Sequence, residues 1–447
     1  MSPTLEALRP CFEGAIPAAL ATCATDGTPN VAYLSQVQYV DATHLALTFQ
    51  FFNKTRANIL ANPHASLCVT DPFTATSYRL AIRYLRTETA GPLFEVMRAK
   101  LSGIAAHTGM TEVFRLLGAD IYQVLDIELL VGPTPLPAPP RPKLLPLLRR
   151  ATAQLNRCVD LDSLLGATLN TLTEDFGIAH VMLLLHDETR ACLYTVASSG
   201  YDVAGIGSEI ALGHGVIGIA ARERTAIRIA HMTQEYGYGK AVREQMERIG
   251  LTGQLETAIP MPGIAESRSQ MAIPVLWAQR LLGVIYVESP EDLAFGYDEE
   301  DALTVLADHL AASMQVLAGA ESCLDADVAI DSPPPPVPQD SLLQVRHFPR
   351  DHSVFVDDLY LIKGVAGAIL WHLLRCHQET GRSQFSNREL RLQAELGLPE
   401  IADNLETRLV LLKRRLDERQ CGIRLKKTGR GQFGLQVDNR LSLDDAS

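Results

Sequence analysis

Apolar residues along the chain change period several times, and each change marks an element. Residues 269–290 read SQMAIPVLWAQRLLGVIYVESP. Met271, Ile273, Val275 and Trp277 alternate, Gln279 and Arg280 form a polar turn, and a second apolar run spans 281–287. This pattern predicts a β-hairpin in a half-buried sheet. Nearer the N-terminus, runs at 16–22, 30–40, 44–51, 65–70 and 76–89 predict strands, separated by turns such as Asp26-Gly27-Thr28-Pro29. A helix over 93–106 and a closing strand over 120–130 complete a small barrel.

The period becomes helical from 144 to 176, with Leu148, Ala151 and Leu155, then Leu161, Leu165, Leu169 and Leu172. Asp160 and Asp162 can cap a new start inside that run. Strands are expected at 181–185, 191–197, 209–212 and 226–229, and helices at 216–223 and 240–248. Leu303, Leu306, Leu310, Met314 and Leu317 give a closing amphipathic helix after the hairpin. Farther on, 353–364 reads as a hairpin turning at Asp357-Asp358, and 365–379 as a helix ended by Gly381. Ser386 and Glu389 have capping-box spacing. Asp403 can cap a third helix with Leu405, Leu409, Leu412 and Leu416 inward, and 423–437 forms a second hairpin.

Two proline-rich breaks divide these elements, one at 132–142 and one at about 319–340 that includes Pro333 to Pro336. The expected organisation is domains at 1–131, 144–318 and 342–441 joined by linkers 132–143 and 319–341. The fold class is multidomain α+β, with a split β-barrel, an antiparallel sheet with flanking helices, and a small helix-and-hairpin unit.

With 447 residues, 47% of them hydrophobic, the chain can bury several cores. A net charge of −12 excludes a uniformly basic nucleic-acid coat but not one basic domain. The eight cysteines are scattered without a CxxC, as expected for reduced thiols in the cytoplasm. His372 and Cys376, one helical turn apart, are too few for a metal site. The N-terminus has no signal-like apolar core, and no uninterrupted apolar run approaches the roughly 18 residues of a membrane span.

Candidate chemistry begins where a strand meets a helix, at Thr48, Phe49, Gln50, Asn53, Lys54 and Thr55. A helix start offers free N–H groups, and Lys54 adds charge, which together suit a phosphate. The same residues also fit a capped helix with a solvated face. The stretches DGTPNVAYLS, TFQFFNKTRANILANP and ASLCVT resemble the flavin-binding split barrels of the pyridoxamine-5′-phosphate oxidase family. That resemblance, over roughly 5–130, implies FMN between two subunits of a homodimer, its phosphate at Asn53, Lys54 and Thr55. The family's phosphate arginine on the second strand is matched only by Ala32 or Tyr33. The oxidase signature Trp, then Arg-x-His-x-Arg, has no counterpart, so a non-enzyme is expected over an enzyme.

Gly213-His214-Gly215-Val216-Ile217-Gly218 matches GxGxxG, but antiparallel hairpins surround it and no βαβ unit does. The order of elements over about 144–317, ending AIPVL…LLGVIYVES, resembles a GAF domain. This implies a small-ligand sensor, with His214, His231, Tyr236 and Tyr238 as candidate contacts. The last unit carries Asn404, Arg408 and Arg415 on an expected outward helix face, then Arg424, Lys426, Lys427 and Arg430 on a hairpin. A helix with arginines beside a basic hairpin suits DNA, and also fits a solvated basic face on a protein–protein module. The unit resembles the winged helix of bacterial response regulators, which implies a DNA-binding output. The main expectation is a cytoplasmic sensory regulator of transcription; the alternative is an FMN-dependent oxidoreductase with regulatory appendages.

Overall fold

The computed structural model of the protein describes residues 3–14, 16–34, 36–49, 53–108, 116–132, 143–230, 259–264, 266–322, 339–393, 405–429 and 431–445. The proline-rich stretches lie almost wholly outside them, as do His231, Tyr236, Tyr238, Gln50, Asn404 and Arg430, and the expected helix at 240–248.

The first sheet is curled, with strand order β2-β1-β5-β6-β7-β4-β3. Its strands are β1 (Ala18–Cys23), β2 (Pro29–Leu34), β3 (Val37–Asp41), β4 (His44–Phe49), β5 (His64–Thr70), β6 (Ser77–Glu88) and β7 (Gly118–Val131). The single strand expected at 30–40 is two, separated at Leu34, because β2 pairs with β1 and β3 with β4 at opposite ends of the sheet. Helix α1 (Asn53–Ala61) follows β4, and α2 (Pro92–Thr108) precedes β7. Leu20, Leu45, Leu47, Leu67, Leu80 and Ile82 fill the inside of the curl. Ala46, Ala119 and Ile121 on the other face receive Phe94, Met97 and Leu101 of α2.

The second sheet runs β10-β9-β8-β13-β12-β11, all antiparallel. It comprises β8 (His180–Asp187), β9 (Cys192–Ser199), β10 (Glu209–Ala211), β11 (Ile227–Ile229), β12 (Ser269–Trp277) and β13 (Arg280–Ser289). The expected hairpin is β12–β13, but its turn is Ala278-Gln279, both at positive φ, with Trp277 facing Arg280. That is the two-residue geometry matching strand twist. The strands are not half-buried, since successive residues 269–275 are all buried. One face packs on α3 (Leu144–Leu155), α4 (Leu161–Asn170) and α6 (Tyr297–Ser322) through Ile273, Val275, Ile285, Leu303, Leu306 and Leu310. The other packs on α5 (Gly215–Glu223) through Met182, Leu184, Val216, Ile217 and Val284. Asp160 caps α4, its carboxylate accepting from the Ser163 amide at 2.8 Å. Among the described residues α6 is long and apolar enough to cross a membrane, yet Leu303, Leu306, Leu310 and Ala311 are buried against this sheet.

In the last unit β14 (Gln339–Phe348) pairs with β15 (Ser353–Val356), which pairs with β16 (Leu359–Ile362) through an Asp357-Asp358 turn at positive φ. β20 (Asn439–Asp445) lies parallel to β14, a pairing between residues about a hundred positions apart that no local pattern announces. Between them come α7 (Gly364–Thr380), β17 (Gln384–Ser386), α8 (Asn387–Leu392), α9 (Leu405–Arg419), β18 (Ile423–Gly429) and β19 (Gln432–Val437). Gly381 closes α7 at φ 72°, and Ser386 with Glu389 forms the capping box.

Buried charge joins the first unit to the second. Arg228 on β11 is ion-paired with Glu13 and, at 2.7 Å, with Glu300 on α6. Lys100 of α2 lies 3.8 Å from the same Glu300. The guanidiniums of Arg9 and Arg228 lie 4.3 and 4.4 Å from the centre of the Tyr297 ring. Burial opposes the charge on Glu300, but Lys100 and Arg228 outweigh it and hold the carboxyl below its ordinary range. Removing one partner of such a cluster strands the rest in low dielectric. Arg228→Ala is therefore expected to destabilise the protein by about 3–5 kcal/mol in chemical denaturation. Pairing it with Glu13→Gln should recover part of that loss.

Candidate functional site

Helix α1 starts at Asn53, four positions beyond Phe49 at the end of β4, so its first turn stands at one end of the curled sheet. Its side chains divide by role. Lys54 is exposed, presenting a cation at the helix start. Thr55 is buried, and its Oγ1 accepts from Asn30 Nδ2 on β2 at 2.9 Å. Asn58, one turn on, donates to Thr22 Oγ1 at 3.1 Å. Arg56 turns inward: Nη1 meets Asp120 Oδ1 at 2.6 Å, and the guanidinium lies 4.7 Å from the Phe49 ring centre and 5.4 Å from that of Tyr84. Thr87 donates to the same Asp120 oxygen at 2.5 Å. Burial raises the Asp120 carboxyl above its ordinary range, against the pull of Thr87 and Arg56.

The first turn of α1 is thus fastened to β1, β2, β6 and β7, while Lys54 is left free to meet an anion. Thr48 and Phe49 lie on opposite faces of β4, as successive strand residues must. Thr48 is buried and its hydroxyl has no partner among the described residues, an orphan polar atom at the end of β4 nearest the helix start. Phe49 is stacked under Arg56. An outward cation, the free amides of a helix start and an unpartnered hydroxyl are the donors a flavin phosphate needs. Asn30, Arg56 and Asp120 were not singled out from the sequence. Asn30 is distant from Thr55 in the chain, and the pairing of Arg56 with Asp120 spans 64 residues.

The glycines of the GxGxxG stretch have conformational uses. Gly213 and Gly215 take positive φ in the turn into α5, and a Cβ on Gly218 would lie 2.4 Å from the Ala211 carbonyl. They let α5 approach β10 closely. His214 is the exposed residue before α5 and makes no side-chain capping bond.

The expected outward arginine face of α9 requires correction. Arg408 and Arg415 are both 5% exposed. Arg408 pairs with Asp187 at 3.0 Å and lies over the Tyr194 ring. Arg415 donates to the Leu361 carbonyl at 2.9 Å and pairs with Glu418. Lys413 and Arg414 meet Asp162 at 2.7 and 2.9 Å, and Lys427 meets Asp160 at 2.9 Å. Along β18 the basic residues Arg424, beside Asp438 at 3.2 Å, Lys426 and Lys427 are exposed. The physical reason is that α9 has apolar residues on two sides. Leu412 and Leu416 face its own unit, while Arg408 and Leu411 face β9 and the Gly207 turn, the latter lining a small interface pocket with Tyr194.

Two family models match the chain. The pyridoxamine 5′-phosphate oxidase model covers residues 4–112, and the GAF domain model covers 160–314. Among solved structures, the GAF domain of an Acinetobacter phosphoenolpyruvate-protein phosphotransferase is 20% identical, over 41% of this chain and 97% of its own, with a TM-score of 0.31. An FMN-binding protein of Syntrophomonas wolfei is 17% identical, over 28% of this chain and 88% of its own, with a TM-score of 0.23. A free methionine-R-sulfoxide reductase of Neisseria meningitidis, in complex with its substrate, is 19% identical over 40% and 91%, with a TM-score of 0.31. No curated protein matches the chain. The family models carry the assignment: the chain has a split-barrel domain of a flavin-binding type and a GAF domain. The expectation of a non-enzyme is overturned, because residues 4–112 match an enzyme family despite the missing oxidase signature.

The ion pair from β18 to the start of α4 makes stability depend on acid. Burial opposes the charge on Asp160, but Lys427 and Ser163 outweigh it and lower its pKa from 3.8 to about 2. As pH falls, the unfolded chain takes up this proton first. The stabilisation is therefore complete above about pH 4 and lost as pH falls through about 2. Asp160→Asn should cost about 1–2 kcal/mol near neutral pH, allowing for solvent screening. The gap between variant and parent in urea unfolding should narrow progressively below pH 4.

Proposed function

We propose that the protein is an FMN-dependent oxidoreductase of the split-barrel type, whose GAF domain senses a small ligand and modulates it. The match of residues 4–112 to an enzyme family, with Lys54 at the start of α1, carries this reading. Lys54 and the first amides of α1 would hold the flavin phosphate. Asn30 holds Thr55, and Asp120 holds Arg56, so the helix start keeps its place without a ligand to order it. Bound flavin would supply two-electron redox chemistry. The strand β2 (PNVAYL) holds no Lys or Arg and so provides no second phosphate cation, and its Tyr33 and Val31 are 73% and 64% exposed. Those residues, with Leu60, Leu125, Leu129 and Leu130, give this unit an apolar outer surface. Such a surface supports a homodimer, the arrangement that would complete a flavin site shared between two copies.

A second reading keeps a winged-helix DNA output in the last unit. Exposed Arg424 and Lys426 on β18 favour it. It requires α9 to leave Asp162 and Asp187. Salt-sensitive duplex binding in a gel shift, weakened in Arg424→Ala/Lys426→Ala, is its expected outcome; no binding at low salt would sink it.

For the main reading, purified protein titrated with FMN should show a flavin absorption band and quenched flavin fluorescence. Lys54→Ala should weaken FMN binding by about 1.5–3 kcal/mol, the worth of a hydrogen bond to a charged group. A colourless protein that takes up no FMN counts against the flavin reading. Unchanged FMN affinity in Lys54→Ala would move the phosphate elsewhere.

A further inference from the structure

Three adjacent strands of the GAF sheet set a polar row into an otherwise apolar face. Glu288 on β13 stands directly between Gln270 on β12 and His180 on β8. The next row on the same face is Ala272, Tyr286 and Met182, and the one beyond includes Val284 and Leu184. Glu288 is 2% exposed. Its Oε2 accepts from the Tyr286 hydroxyl at 3.4 Å, and its Oε1 from the Ile264 amide at 3.3 Å. Among the described residues no cation pairs with it. Among the described residues two more buried polar atoms at this place make no hydrogen bond of ordinary length: the Tyr201 hydroxyl, which lies beside Glu288, and His180 Nδ1. Their rings lie 5.6 Å apart.

We infer that this row is the recognition end of a binding site for a primary ammonium group, with Glu288 as counter-ion and Tyr201, Tyr286 and His180 as its aromatic wall. The inference names the ligand class of the GAF domain and rests on reading that domain as a sensor. A carboxylate this buried, held by two long neutral hydrogen bonds, is left with a large desolvation cost and no compensating charge. An alkylammonium supplies that charge. It also brings three donors, enough to reach the remaining lone pairs of Glu288 and the Tyr201 oxygen. Aromatic faces around it favour a cation over a neutral group of the same shape. Burial and the Glu288 charge both hold the Tyr201 phenol in its protonated form, so the wall itself brings no competing charge. The aromatic wall would also meet a hydrocarbon or aromatic substituent on the amine, since the apolar rows beyond are covered by α5.

The test uses the full chain with methylammonium and benzylamine as probes and benzyl alcohol as the neutral control. Benzylamine should raise the melting temperature by several degrees in a saturable way, methylammonium less, and benzyl alcohol not at all. Glu288→Gln keeps the shape and removes the charge. It should raise the melting temperature of the ligand-free protein and weaken benzylamine at least tenfold in calorimetric titration. Tyr201→Phe, which keeps the ring, should retain most of the binding. No response of the parent protein to either amine, or an equal response in Glu288→Gln, overturns the site. Flavin reduction measured with and without benzylamine separates the two ideas. Binding without any change in reduction leaves the site standing and removes the sensor role.

Discussion

The structure depends on one sheet being buried on both faces. In β8, β9, β12 and β13 almost every residue is covered, whichever way its side chain points. An antiparallel sheet more often leaves one face to water. Here each face is a docking platform. One takes α3, α4 and α6 and continues into the core of the last unit, so that Leu310, Leu373 and Leu412 belong to one contiguous apolar cluster. The other takes α5, against which α2 of the split barrel lays Ala99. The GAF domain is therefore the hub through which barrel and C-terminal unit feel one another.

Charge decides how the neighbours sit on that hub. The apolar contacts are non-directional, but Arg228 between Glu13 and Glu300, and Arg408 against Asp187, admit only one registration each. Asp187 shows the balance: burial raises its pKa, the Arg408 charge overcomes that, and the carboxyl is held below its ordinary range. The basic residues of α9 and β18 are largely spent on Asp160, Asp162 and Asp187. An acidic chain thus carries a basic segment whose first partner is itself.

In the flavin-type barrel the same economy leaves Lys54 outward and turns Arg56 inward. Arg56 lies two residues on and carries the same charge, but Asp120 claims it. A helix start without that anchor would owe its position to the ligand. With it, the first turn of α1 is fixed by contacts within the protein, so an anion bound there would carry a lower ordering cost.

The amino-acid sequence by itself determined whatever depends on neighbours a few residues apart. The Asp160 cap, the Ser386–Glu389 capping box, the Gly381 helix stop and the Asp357-Asp358 turn were legible because each is a local hydrogen bond or a backbone conformation. So were the β12–β13 hairpin and the flavin-type and GAF patterns, since hydrophobic period reports which face of an element is covered. It does not report what covers it. The expected outward face of α9 is apolar at Leu411 as well as basic at Arg408, and only the presence of β9 beside it settles that the arginine is buried. The pairings of Glu13 with Arg228, Arg56 with Asp120 and β14 with β20 join residues far apart in the chain. Their partners were fixed by tertiary packing, because an ion pair or a strand edge selects its partner by proximity in space, and sequence separation carries no record of it.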